Sequence, residues 1–171
     1  MQGLKFFLRV IDTLSKRIGL AVSVFIPIMM VVLFIEVVSR YIFNSPTQWA
    51  FDTAIFLFGY TGILGGAYIL QRGEHINVDL IYSRLSLRGK AILDVISGLL
   101  FFFFISLVII YCWGPAIEAI TLAETTSTDW GPPIGHFKLM IPIGASLLLL
   151  QGLANWIRSL YRVITDKELE D

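Results

Sequence analysis

The segment Leu70–Leu80, LQRGEHINVDL, brings Arg72, Glu74, His75 and Asp79 into one short connector between two long apolar runs. These side chains can do acid–base work, because an imidazole titrates near neutrality and a neighbouring carboxylate can orient it or share its proton. They can also begin a metal site. Either use needs further groups, and the chain holds only two histidines and one cysteine. His136 falls on the opposite side of the membrane by the charge distribution described below. Cys112 lies inside an apolar run and has no partner for an internal disulfide. There is no Cys/His cluster at metal-ligand spacing, no glycine-rich phosphate loop and no Gly-x-Ser-x-Gly elbow. A Glu74/His75 acid–base pair stays open on residue type alone. A structural corner asks for less, with Arg72 ending a helix and His75 or Asp79 bonding to nearby backbone or to a partner. The expectation is therefore no catalytic, metal-binding or substrate-binding residue, no cofactor and no enzymatic activity.

Whatever the connector does, membrane-spanning elements must position it. Of 171 residues, 56% are hydrophobic, above the roughly 45–50% of soluble domains, and mean hydropathy is +0.77. A hydrocarbon core about 30 Å thick takes roughly 20 apolar residues of helix to cross. The runs Ile18–Ile35, Thr53–Leu70, Val95–Ile117 and Leu139–Ile157 carry no charge. Backbone in lipid must satisfy its own hydrogen bonds, so these runs should be helical. The sequence predicts an all-α integral membrane fold in a single membrane domain, 1–171. Its spans lie near 18–43, 50–71, 92–117 and 138–161. The first run is too long for a cleaved signal peptide and lacks a clear small-residue cleavage site.

Basic residues orient the spans. Lys5, Arg9, Lys16 and Arg17 precede the first; Arg72, Arg84, Arg88 and Lys90 lie between the second and third; Arg158, Arg162 and Lys167 follow the fourth. The other two connectors hold only Lys138. The positive-inside rule then puts both termini and the 71–91 connector in the cytoplasm of a bacterial inner-membrane protein. Formal net charge is zero, which gives no reason to expect nucleic acid.

Between the charges, Leu4, Phe7, Leu8, Ile11 and Leu14 recur at helical spacing, predicting an amphipathic N-terminal segment over 4–17, either lying on the cytoplasmic face against membrane phospholipid or extending the first span into the cytoplasm. Val78, Ile81, Tyr82 and Leu85 predict an interfacial helix over about 76–87. In NSPTQW, residues Ser45, Pro46 and Gln48 fit the N-cap, first and third positions of the second span. Glu36 and Arg40 stand at i, i+4, and Asp52 lies just across the turn. Either the two acids neutralise an Arg40 that reaches the headgroups, or the group contacts another subunit. Gly59, Gly62 and Gly66 form a small-residue stripe suited to close helix approach. Gly144, Gln151 and Asn155 mark a face of the fourth span expected to meet protein.

Function narrows by what is missing. A self-contained carrier usually shows paired helices broken near the midplane, and Pro27 and Pro142 do not form such a pair. A small four-helix multidrug-type antiporter would use Glu36 as its carboxylate, but normally has shorter connectors than 71–91 and 116–138. A redox anchor usually needs histidines within its spans, and the expected spans have none.

The stretch SRYIFNSPTQWAFDTAIFLFGYTGILGGAYILQRGEHINVDLIYSRL, residues 39–85, resembles the small (DctQ-like) membrane subunit of tripartite ATP-independent periplasmic (TRAP) transporters. The features carrying the resemblance are Arg40-Tyr41-x-Phe43, Trp49 with an acid three residues on, the glycine-rich second span and Arg72-x-x-His75-Ile76-x-Val78-Asp79. One departure is Asp52, where the family more often carries Glu. The resemblance implies a stable complex with a large TRAP membrane subunit, which binds sodium and substrate and moves the substrate. It also implies transient docking of a periplasmic substrate-binding protein that delivers an organic acid, sialic acid or a C4-dicarboxylate. The small subunit would be a fixed scaffold, and Arg72, His75 and Asp79 its architecture at a membrane-surface corner.

Overall fold

The computed structural model describes residues 2–73 and 87–165. Five helices account for most of them: α1 (Gln2–Ser23), α2 (Phe25–Tyr41), α3 (Ala50–Gln71), α4 (Leu87–Thr121) and α5 (Gly135–Thr165). The fold is all-α, and four helical stretches are long and apolar enough to cross a membrane, counting α1 and α2 as one stretch. Glu74, His75, Asp79 and the expected interfacial helix over 76–87 lie outside the described residues, except Leu87, the first residue of α4.

The break between α1 and α2 falls at Val24, three residues before Pro27. Proline supplies no N–H for the carbonyl four residues back, here that of Ser23, and its ring crowds that carbonyl. The sequence therefore interrupts a 39-residue helical stretch, Gly3–Tyr41, at a defined point. α1 buries Leu8, Ile11, Ser15, Gly19 and Val22, one stripe at spacings of three and four. Of the apolar face Leu4, Phe7, Leu8, Ile11 and Leu14, the bundle takes Leu8 and Ile11 inside, while Leu4, Phe7 and Leu14 stay exposed on the helix surface. Small residues replace bulk along the buried stripe because α1 comes very close to α3. A Cβ on Gly19 would overlap the Tyr68 side chain, and Val22 lies against Gly65.

The spanning helices stand in a row. α4 packs on α5, α5 on α3 and α3 on α2, while α4 has no extended packing with α2 or α3. α1 crosses the row at one end, resting mainly on α3 and secondarily on α5. The α3/α5 contacts pair Gly59 with Phe137, Ile63 with Gly144, and Gly66 with Leu148. Both partners advance together, so these helices are parallel. α4 and α5 are antiparallel, since Gly98 meets Trp156, Phe101 meets Gly152 and Ile120 meets Gly135. The Trp156 indole also donates to the Val95 carbonyl at 3.1 Å. Parallel neighbours joined through one antiparallel helix are what alternate crossings of a bilayer produce.

Candidate functional site

Two polar clasps hold the row, one at each end. At the first, Glu36 on α2 is buried although it lies in an apolar span. Its carboxylate takes Arg40 Nε at 2.8 Å, one turn later, and Arg40 Nη2 as well. It also accepts the Thr47 backbone N–H at 2.9 Å and the Thr47 hydroxyl. Charge-assisted bonds of this kind offset the desolvation of a buried carboxylate. The turn after α2 is shaped by this acid, and not by the capping box expected from Ser45, Pro46 and Gln48. α3 starts only at Ala50, its N-cap is Trp49, and no side chain caps it. The Ser45 N–H instead bonds to the Ser39 carbonyl at 3.0 Å, and Asn44 takes a positive φ of 50°.

Asp52 does not neutralise Arg40. It is 3% exposed, and its carboxylate accepts the hydroxyls of Thr128 and, at 3.5 Å, Thr126. Both belong to the connector between α4 and α5, so Asp52 fastens that connector to α3. The connector is folded in its own right. Thr125 bridges Pro133, the Thr126 N–H reaches the Pro132 carbonyl at 2.9 Å, and Gly131 supplies the left-handed φ of 59° that the turn requires. Lys138, the lone basic residue of the two connectors, pairs with Glu124 and closes the base. Asp52→Ala is expected to release this connector at a cost of about 1–2 kcal/mol. Faster proteolytic cutting within 122–134, with the helices still protected, is the measurement; an unchanged cutting rate would reject the anchor.

At the other end, Gln151 of α5 is fully buried and donates to Asp12 Oδ1 at 2.9 Å and to Asn155 Oδ1 at 3.2 Å. Asn155 in turn donates to the Leu70 carbonyl at 2.9 Å, at the end of α3, where that carbonyl also accepts the Gly73 N–H at 3.3 Å. Arg158 forms an ion pair with Asp12. Leu8 and Ile11 pack on Ala154 and Ile157 beside this network. Gln151 and Asn155 thus meet α1 and α3 of the same chain, where sequence reasoning left room for another subunit.

The glycine stripe is divided. A Cβ on Gly59 would overlap the Phe137 ring, and Gly66 is in ordinary contact distance of Leu148, but Gly62 faces open space. Arg72 caps the end of α3, with its guanidinium 5.5 Å from the centre of the Tyr68 ring. Trp49, the N-cap of α3, is 39% exposed.

The sequence profile of the DctQ component of tripartite ATP-independent periplasmic transporters matches residues 29–162, from within α2 almost to the end of α5. The chain belongs to this DctQ family. It is 25% identical over 136 residues, 80% of its own length and 53% of the relative's, to the "C4-dicarboxylate TRAP transporter small permease protein DctQ" of Vibrio cholerae. It is 25% identical over 100 residues, 58% of its length and 62% of the relative's, to a "Putative TRAP transporter small permease protein" of Haemophilus influenzae. The matched region thus spans between half and two thirds of either relative.

A DctQ chain is a transporter component, and these clasps are suited to fixing helices. In each, the carboxylate is saturated by hydroxyl, amide or guanidinium donors. Sequence reasoning missed Asp12, Thr47 and Thr128. Asp12 had a signal, being the one acid among Lys5, Arg9, Lys16 and Arg17. The threonines had none, since hydroxyl partners far along the chain leave no spacing to read. α1, which carries Asp12, precedes the matched DctQ region, whereas Gln151, Asn155 and Arg158 lie within it.

Proposed function

We propose that this chain is the small membrane subunit of a TRAP-type secondary transporter, a fixed scaffold for the large subunit that carries the substrate. In this reading it serves sodium-coupled uptake of an organic acid delivered by a periplasmic binding protein. It sits in the bacterial inner membrane with both termini cytoplasmic, as the basic residues favour. The acid is of the C4-dicarboxylate or sialic acid class; the Vibrio relative carries the first in its name. The single-file arrangement of the spans carries the scaffold reading. A transport path needs walls on all sides, and among the described residues a row in which α4 has no extended packing with α2 or α3 encloses none. A row does present broad flanks to a larger protein. On one of them Phe51, Ile55, Phe58 and Ile69 are exposed along α3, with Gly62 as an open notch between the last two.

Purification of the complex from native membranes in mild detergent is expected to recover a much larger multi-span partner. Gly62→Leu should reduce that recovery severalfold without shifting thermal unfolding of the chain itself, because the new side chain meets nothing inside it. Recovery as a homodimer that exports cationic drugs, or with haem-bearing subunits, would overturn the scaffold reading. So would organic-acid uptake by the chain alone in liposomes.

A further inference from the structure

The side of α1 turned away from the bundle carries a groove of about 390 Å³ lined by Phe6, Arg9, Val10, Thr13, Leu14 and Arg17. These positions lie opposite the buried stripe Leu8, Ile11, Ser15 on the helical wheel. Phe6, Val10 and Leu14 are 69%, 48% and 42% exposed, an apolar floor with no cover in the described chain. Arg9 and Arg17 stand two turns apart, roughly 12 Å along the axis, and among the described residues neither pairs with an acid. The acid of this helix, Asp12, is committed to Arg158 and Gln151. The Thr13 hydroxyl donates to the Arg9 carbonyl at 2.7 Å, so the two guanidinium groups are the available donors.

An apolar floor with a cation at each end suits a molecule that joins an anionic head to long hydrocarbon chains. We propose that this groove binds an anionic phospholipid, its phosphate between Arg9 and Arg17 and an acyl chain along Phe6, Val10 and Leu14. The site rests on the reading above that α1 meets the basic, cytoplasmic side of a membrane. A soluble phosphate would have no use for the floor. An anionic phospholipid brings a net charge of −1 to the two arginines, whereas a zwitterionic one brings none.

The test is native mass spectrometry of the full chain with phosphatidylglycerol or phosphatidylcholine at matched concentrations. Wild type should retain phosphatidylglycerol preferentially. Arg9→Gln/Arg17→Gln should lose that retention by fivefold or more, from roughly fivefold per basic residue at an anionic surface. Its phosphatidylcholine binding and thermal unfolding should stay unchanged, since both arginines are exposed. Lys16→Gln, also exposed but outside the groove, controls for overall charge. Equal retention of the two lipids by wild type would overturn the proposal. So would full retention of phosphatidylglycerol by the double variant, or its displacement by millimolar inorganic phosphate. Loss of the lipid on assembly with the larger subunit would overturn it as well, making the groove a protein interface. The lipid measurement needs no large subunit, so its failure and failure of the scaffold reading are separate results.

Discussion

Replacing Gly144 with leucine is expected to cost this chain its folded state in detergent. A Cβ at this position would overlap the Ile63 side chain and lie 2.9 Å from the Ile63 carbonyl oxygen. A side-chain clash can relax by rotation, whereas a backbone carbonyl inside a helix moves only if the helix moves. α3 and α5 would have to separate along their length, and with them the Asn155–Leu70 bond and the Asp12 network. Overpacking ordinarily costs about 1–3 kcal/mol, and a rigid backbone obstacle puts this case at or above the upper end. Association in lipid depends on close packing in place of a hydrophobic drive, so the lost contact is not recovered elsewhere. Fluorescence-detected size exclusion and thermal unfolding should rank Gly144→Leu as the most damaging, then Gly144→Ala, with Gly62→Leu close to wild type. Equal behaviour of Gly144→Leu and Gly62→Leu would reject the close α3/α5 approach.

Arg158→Ala should produce the second large effect, a loss of about 2–3 kcal/mol. The side chains of Arg158 and Asp12 are 15% and 19% exposed, so removing one partner strands the other in a largely desolvated place. Gln151 alone would remain on the carboxylate. α1 should then loosen from α5 while α2–α5 keep their row. Asp12→Asn/Arg158→Gln removes both charges and keeps the hydrogen-bonding shapes, and should recover much of the loss. The readouts are chemical unfolding in micelles and protease cutting within α1. Strict additivity of the two single changes would show that the pair does not interact.

The helices were legible because a bilayer imposes a length on apolar runs, and the chain meets it four times. Details at their ends were not. Ser45, Pro46 and Gln48 have the spacing of a cap, but Glu36 offers Thr47 a charged acceptor and pulls the turn out of helical form. Local propensity lost there to a stronger, non-local bond. The glycine stripe marked a packing helix without showing that Gly59 and Gly62 point to different surroundings, because residues at i and i+3 differ by about 60° around the axis. Gln151 and Asn155 were readable as polar groups needing partners. Their partner Asp12 was not, since nothing in the order of residues says that the first helix returns to the last. The corner at Glu74, His75 and Asp79 lies outside the described residues, so its role stays with the resemblance that suggested it.

The clasp between Asp12 and Arg158 joins residues 146 positions apart, and that separation sets a timetable. During synthesis at roughly 5–20 residues per second, about 7–30 s pass between the emergence of one partner and the other. Until then α1 has neither Gln151 nor Arg158 to hold its acid, nor Ala154 and Ile157 to cover Leu8 and Ile11. α1 can rest on α3 as soon as that helix is made, but its contacts with α5 form last, and a ribosome stalled before α5 would leave Leu8, Ile11 and Asp12 open. Quality-control proteases that inspect unfinished membrane chains would find in α1 a direct report on whether the final span has arrived.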